Sequence, residues 1–323
     1  MSNKKFNAIV TAVGMYVPEK ILDNKYFEKI VETNDEWILT RTGIRERRIL
    51  ENGATSDLAT LAAKDLFEKH NINKDEIDAL IVATVTPDMF FPATATIVQH
   101  NLGLTNVWGF DLSAACSGFL FALQTGAALI ESGRYKKVLV IGADKMSSIV
   151  DYTDRNTCIL FGDAGSAFLL EPTEDLNYGL KNSILRIDGS GKDYLHMLGG
   201  GSLNPSTHET VDKRWHYIYQ DGKADVSVEV MEMSGLKSED VAYLVPHQAN
   251  MRIIDATAER MGVTKDKVMI NIDRYGNTTA ATIPSCITEY YRAGKLKKGD
   301  NLILAAFGAG YTWGASHLVW AID

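Results

Sequence analysis

The feature that most constrains this chain is that it repeats itself. Asn71 to Ile77 resembles Gly235 to Val241, and His100 to Thr105 resembles Glu259 to Thr264. Glu131 to Lys136 resembles Arg292 to Lys297, and Val138 to Gly142 resembles Leu302 to Ala306. Self-similarity in the same order across both halves predicts two copies of one structural unit. Apolar helical spacings alternate with β-branched runs, so each copy is an α/β layer. The halves are expected at 1–175 and 176–323.

Within the first copy, Asp111 to Phe121 reads DLSAACSGFLF. Asn106 to Leu112 reads as a buried strand. From Ser117 to Ser132 the apolar residues Phe119, Leu120, Leu123, Ala127, Leu129 and Ile130 keep a helical spacing. Cys116 therefore falls at a strand-to-helix turn, among small residues that let another group approach its sulfur. Free N–H groups and the helix dipole at that turn are expected to lower the thiol pKa. The repeat also serves as a ruler. Gly133 pairs with Gly294, and the same offset of 161 carries Cys116 to Asn277. Ala83 pairs with His247. Strand carboxyl ends are where open α/β sheets bind ligands. If the copies pack about a twofold axis, Cys116, His247 and Asn277 converge.

Other elements follow from pattern. Ala8–Val13, Asp78–Thr84, Val138–Asp144 and Val268–Ile272 are expected strands. Asn24–Val31, Asp35–Leu39, Asp57–His70, Ala224–Ser234 and Thr279–Ala293 are expected helices, with Ser56 as the N-cap of the third. Asp154 to Leu170 is expected to form two strands joined by a turn at Gly162 and Gly165. Glu171 to Asp221 reads as a less regular region. Arg41, Arg45, Arg47 and Arg48 crowd Thr40 to Ile49 in an otherwise acidic chain. They suit either a solvated face or a mouth for phosphate or acidic protein.

Several classes are excluded. A net charge of −8 with a pI near 5.4 argues against nucleic acid. No apolar run approaches the ~20 residues of a membrane span, and Phe6 to Val17 lacks a signal-peptide cleavage pattern. Cys116, Cys158 and Cys286 have no metal spacing, and neither do His196, His208 and His216; no metal is expected. An odd cysteine count points to a reducing, cytoplasmic setting. Gly189 to Lys192 fails the Walker pattern, because Arg186 and Asp193 stand where glycine and Ser/Thr are needed.

Seven stretches together resemble one family. They are DEWILTRTGIRER (35–47), FPATA (91–95), DLSAACSGF (111–119), DRNTCILFGDAGSA (154–167), VPHQANMRI (245–253), RYGNTTAATIP (274–284) and FGAGYTWGA (307–315). The chain is similar to β-ketoacyl-ACP synthase III, the initiating condensing enzyme of bacterial fatty-acid synthesis. The resemblance implies a thiolase-like fold, two α/β copies packed as αβαβα layers. It implies Cys116 as acyl acceptor, with His247 and Asn277 acting on malonyl-ACP, and backbone N–H groups of Cys116 and Ala309 as oxyanion hole. Trp37, Arg41, Arg155 and Asn250 would bind CoA. Gln248, Ala249, Asn250, Met251 and Arg252 would meet the acyl carrier protein. Phe91, from a dimer partner, and Phe307 would line the acyl pocket. Cys158 and Cys286 are left as core. Acyl-CoA, with an acetyl or short or branched chain, is a substrate, so no cofactor is expected.

A degradative thiolase would carry a second cysteine near FGAG, and an elongating synthase a second histidine in place of Asn277. Plant-type polyketide and 3-hydroxy-3-methylglutaryl-CoA synthases share Cys/His/Asn but lack the flanking motifs. A Cys/His/Asn hydrolase fits the residue types but not the duplicated sheet. A non-catalytic CoA-binding relative is the remaining alternative. The chain departs from the family at Gln220 to Asp225, where relatives carry extra residues; omission of a segment at Lys223–Ala224 is the favoured reading over a true deletion.

Overall fold

The computed structural model describes residues 5–220, 231 and 233–323. Two sheets dominate it. The first has five strands, in the order Asn7–Tyr16, Asp163–Thr173, Val138–Lys145, Ala79–Ala83 and Trp108–Leu112. The second has four, in the order Tyr243–Pro246, Asn301–Gly308, Thr312–Val319 and Gly179–Ile187. In each, a parallel pair (Ala79–Ala83 with Val138–Lys145; Tyr243–Pro246 with Asn301–Gly308) is followed by antiparallel neighbours. The second sheet thus repeats the first without its edge strand. Val268, expected within a strand, makes only an isolated bridge to Leu244, and the next residues turn into the short helix Ile272–Tyr275.

The helices Gly118–Glu131 and Thr282–Arg292 contribute to the core shared by both sheets. Phe119, Leu120 and Leu123 of one, with Ile283 and Ile287 of the other, join Ile81 and Val140 of the first sheet and Leu302 and Leu304 of the second. Burying an aliphatic side chain contributes about 1.5–3 kcal/mol, so this seam binds the halves together. The outer face of the first sheet packs on Thr55–His70 and Thr94–Leu102. That of the second packs on Met251–Met261. The layers are therefore αβαβα.

Three expectations need correction. Ser56 is not an N-cap: the helix begins at Thr55 after Ala54, whose N–H donates to Asp57 (2.8 Å), while Ser56 binds Asp88 through its N–H (2.9 Å) and hydroxyl (2.7 Å). Asp154 to Leu170 holds one strand, not two. Gly162 and Gly165 mark close backbone approach rather than a turn, since a Cβ would lie 2.3 Å from the Tyr275 carbonyl and 2.4 Å from that of Leu58. Gly179–Ile187 is a strand inside the region read as irregular; it is the second copy's first strand. The expected helix 224–234 and the junction at Lys223–Ala224 lie outside the described residues, apart from Met231, Met233 and Ser234.

The backbones of the halves approach closely at Gly142, where a Cβ would lie 2.4 Å from the Ala280 carbonyl and 3.3 Å from the Ala281 nitrogen. Both neighbours are backbone and cannot swing away. Gly142→Ala should lose about 1–3 kcal/mol of stability by overpacking, read as a lower urea midpoint; an unchanged midpoint would mean the seam is loose.

Candidate active site

A cavity of about 230 Å³ opens between the two copies. Cys116, His247, Asn277, Phe307 and Ala309 all line it, with Val85, Met146, Phe161, Thr279 and Tyr311 among the walls. Most of the lining is apolar, so the few polar groups act in a poorly hydrated space.

Cys116 lies in the single 3-10 turn Ala115–Ser117 that leads into the helix Gly118–Glu131. Ala115 is left-handed (φ +48°), a conformation that costs a non-glycine residue about 1–3 kcal/mol. The turn is held from the second copy: the Ser117 hydroxyl donates to Thr312 O (3.1 Å) and the Thr312 hydroxyl to Ala114 O (2.9 Å). Gly308 closes over it, and a Cβ there would lie 2.8 Å from the Cys116 nitrogen. The lack of a side chain keeps that amide open. Ala309 is not among the left-handed residues, whereas Gly310 is at φ +128°. The middle alanine of Gly-Ala-Gly therefore offers its N–H without strain.

The ruler of 161 misplaced the counterpart of Cys116. In the second copy the 3-10 turn Thr279–Ala281 leads into Thr282–Arg292, and Thr279 is left-handed at φ +54° as Ala115 is. Cys116 corresponds to Ala280, and Asn277 stands three residues earlier in sequence. The glycine pair used for calibration follows the helix, and the second helix is three residues shorter (Thr282–Arg292 against Gly118–Glu131).

Asn277 is clamped on its backbone: its N–H donates to Leu160 O (2.8 Å), and its carbonyl accepts from Gly162 N (3.1 Å). Its side-chain Oδ1 accepts from Thr279 N (2.9 Å). With the oxygen so used, the amide NH2 is the group left to act as a donor. His247 follows the strand Tyr243–Pro246. Its N–H donates to Ala305 O (2.7 Å), and Nδ1 lies 2.7 Å from Thr282 Oγ1, which also reaches Thr279 O (3.0 Å). The Thr282 hydroxyl has one proton to give; given to Nδ1 rather than to Thr279 O, it leaves the imidazole proton on Nε2, which is then a donor. Thr282 escaped the sequence reading. The repeat could have marked it, because it opens the helix matching Gly118–Glu131.

Burial sets the charge state. It pushes the Cys116 thiol up to about 12, with the nearby Asp144 carboxylate adding to the rise and the local backbone N–H opposing it. The expected fall is thus reversed: desolvation outweighs the helix N-terminus. Burial likewise brings His247 down to about 3, so the imidazole is neutral.

The remaining expected residues divide. Arg41 and Arg155 both lie over the Trp37 ring, 4.4 and 4.3 Å from its centroid. The three are together, but Arg155 stacks on Trp37 itself; with a base between them that separation would roughly double. Arg47 is no part of a mouth. It is 0% exposed, donates to Ile159 O and Asn24 Oδ1 and stacks on Phe27. Gln248 cannot meet a carrier protein: it is fully buried, donating to Pro246 O and Met269 O and accepting from Asn271 N and Ile272 N. Met251 packs beneath Gly43, where a Cβ would lie 2.0 Å from its Cγ. Ala249 lines the cavity, Asn250 caps the next helix through Ile253 N (3.0 Å), and Arg252 is exposed. Phe91 is 84% exposed and is not among the lining residues of its own chain. His196, Tyr194 and Met197 line the cavity unforeseen. Among the described residues no cluster of His, Cys, Asp or Glu could hold a metal.

With the thiol raised to about 12, its thiolate fraction grows with pH throughout the working range. Alkylation of Cys116 by iodoacetamide should rise about tenfold per pH unit from pH 7 to 10 with no plateau. A plateau below pH 8 would mean that the helix N-terminus wins after all.

Residues 110–189 match the family described as 3-oxoacyl-[acyl-carrier-protein] synthase III, and residues 231–320 match its C-terminal family. The chain is 56% identical over 327 residues to beta-ketoacyl-[acyl-carrier-protein] synthase III of Chlorobium phaeovibrioides, covering 97% of this chain and 99% of that protein. It is 53% identical over 331 residues to the namesake from Porphyromonas gingivalis, covering 99% and 98%. That alignment is longer than the 323 residues here, so the relative carries residues that this chain lacks. The crystal structure of 3-oxoacyl-[acyl-carrier-protein] synthase III from Aquifex aeolicus superposes with a TM-score of 0.89 at 41% identity, covering 97% of this chain and all of that one. Fold, cavity and likeness agree, and the chain belongs to the 3-oxoacyl-[acyl-carrier-protein] synthase III family, thiolase-like condensing enzymes.

Proposed function

We propose that this chain joins an acyl-CoA starter to malonyl-ACP with loss of carbon dioxide, giving 3-oxoacyl-ACP and initiating fatty-acid synthesis. The observation that carries the reading is that Cys116, His247, Asn277 and Ala309 line one mostly apolar cavity between the copies.

In the first half-reaction Cys116 Sγ attacks the acyl-CoA carbonyl. The new S–C bond replaces the one to CoA, and the thiol proton ends on the CoA sulfur. One thioester becomes another, so little free energy is lost. The carbonyl oxygen gains charge in the tetrahedral state, and the N–H groups of Cys116 and Ala309 are the donors we assign to it. In the second half-reaction Asn277 Nδ2 and His247 Nε2–H donate to the malonyl thioester oxygen. Carbon dioxide departs, the electron pair of the broken C–C bond becomes the enolate, and that carbon attacks acyl-Cys116, releasing the sulfur as a thiolate that takes a proton from water. A neutral imidazole suits this role, since it donates without adding a full charge to a dry cavity. On this reading 1–175 supplies the nucleophile and 176–323 the decarboxylating pair.

Outside the cavity, we assign Trp37, Arg41 and Arg155 to CoA, the adenine displacing Arg155 from the indole. Arg252, exposed at the start of Met251–Met261, and Asn250 are assigned to the acidic carrier protein. The strand Trp108–Leu112 ends its sheet, and Trp108, Phe90 and Phe91 are exposed beside or near it at 42%, 78% and 84%. Such an apolar edge suits a second copy of this chain, whose pocket Phe91 would close. No helix among the described residues is long and apolar enough to cross a membrane. All three cysteines are free, which suits a reducing cytoplasm.

His247→Ala and Asn277→Ala should lower carbon dioxide release from malonyl-ACP about 100-fold or more, as removal of oxyanion donors does. Acylation of Cys116, followed by intact-protein mass, should change far less, and Cys116→Ala should remove it. Equal loss of both half-reactions in either variant would refute the division of roles. Arg155→Ala should raise the KM for acyl-CoA roughly threefold to tenfold, in line with ~1 kcal/mol of stacking, and leave that for malonyl-ACP alone. Arg252→Ala should do the reverse. An exchange of those phenotypes would overturn the assignment of the two surfaces.

A further inference from the structure

Asp144 is fully buried at the end of Val138–Lys145, and nothing above gives it a role. Its Oδ1 accepts from Thr84 Oγ1 (3.0 Å), Val85 N (2.8 Å), Thr86 N (3.2 Å) and Thr86 Oγ1 (3.0 Å). Its Oδ2 reaches into the other copy and accepts from Ala280 N (3.2 Å). A buried carboxylate is costly unless such donors meet it.

The internal symmetry gives this contact a meaning. Ala280 is the counterpart of Cys116, so its amide is the second copy's version of the open Cys116 amide. Val138 matches Leu302, and continuing that match along both strands sets Asp144 opposite Gly308. In the first copy the residue facing the turn is glycine, and the amide stays free. In the second it is aspartate, and the amide is taken. The turn that Asp144 secures carries both partners of the second half-reaction. Thr279 N holds Asn277 Oδ1 (2.9 Å), and Thr282, the residue that follows the turn, stands with Oγ1 2.7 Å from His247 Nδ1. The Cys116 turn has its own tethers, through Ser117 and Thr312.

We propose that Asp144 is a positioning residue for decarboxylation: by binding the Ala280 amide across the seam it fixes the turn that aims Asn277 and His247. It does not aim Cys116. Its negative charge instead disfavours the Cys116 thiolate, so its removal should ease reaction at the sulfur. The proposal rests on the assignment of decarboxylation to His247 and Asn277.

Asp144→Asn separates the two functions. The amide oxygen will take the side with four donors, which leaves the NH2 facing the Ala280 N–H, donor against donor. Carbon dioxide release from malonyl-ACP should fall about 10- to 100-fold, the scale of a small misplacement of reacting groups. Acylation of Cys116 by acetyl-CoA at pH 8 should equal or exceed wild type. Equal loss in both half-reactions would reduce Asp144 to general scaffolding, and undiminished decarboxylation would show the Ala280 contact to be idle; either overturns the proposal. If the asparagine variant does not fold, Asp144→Glu keeps the charge but displaces the amide; the same loss of decarboxylation with acylation retained is expected, and unchanged decarboxylation refutes it. If the wild-type chain releases no carbon dioxide from malonyl-ACP, the assignment to His247 and Asn277 fails, and that outcome is distinct from a failure at Asp144.

Discussion

The seam between the helices Gly118–Glu131 and Thr282–Arg292 is the contact on which the molecule depends. Both helices enter it through a left-handed residue, Ala115 or Thr279, and a 3-10 turn. Small residues let the turns meet: a Cβ at Gly118 would lie 3.3 Å from Ala83 Cβ and 3.8 Å from Ala280 Cβ. Larger side chains would hold the sheets apart and open the cavity. The apolar residues of both helices repay the strain of the turns, because they bury against two sheets at once. Stability and site geometry share one set of contacts.

That seam also sets the electrostatics. A cavity between two buried turns is nearly dry, so charge is expensive in it. Cys116 keeps its proton and His247 stays neutral for the same reason, desolvation. Asp144 is the buried acid beside them, and burial raises it to about 6 even with hydroxyl and amide donors around it. Of the three, only Asp144 is charged near neutral pH, its carboxylate met by fixed donors, and the dipoles of the site are set in advance. Charge that develops on a substrate oxygen meets donors already in place, which is how a low-dielectric site gains most over water.

The approach to the cavity follows a different logic. Arg41, Arg155 and Trp37 are stacked on one another, and Arg252 is exposed at the surface. These groups gain by screening and exchange, since partners must arrive and leave. Arg47, only a few residues from Arg41, has the opposite surroundings. It is sealed among Ile159, Asn24 and Phe27, and burial lowers it to about 9. It braces the segment 159–162, whose backbone holds Asn277. Arginines that look alike in sequence serve binding in one case and bracing in the other.

The sequence by itself determined the duplication, the α/β class and the place of Cys116 at a turn, because each leaves a local trace; Asn277 rested on the family resemblance, since the ruler that reached it was three residues off. A repeat survives as similarity, a buried strand as a β-branched run, and a reactive turn as small residues around one cysteine. What it did not carry were properties that depend on neighbours distant in the chain. The strand Gly179–Ile187 was hidden because its sequence, GLKNSILRI, is polar along half its length. The true counterpart of Cys116 was masked by a second helix that is three residues shorter. The sign of the thiol shift could not be read from a helix N-terminus alone, since the desolvation that outweighs it comes from the other copy. Gln248 and Arg252 belong to one motif, and only packing decided that the first faces the core and the second faces solvent. Burial is a property of the assembled layers, and it was burial that chose among the readings the sequence had left open.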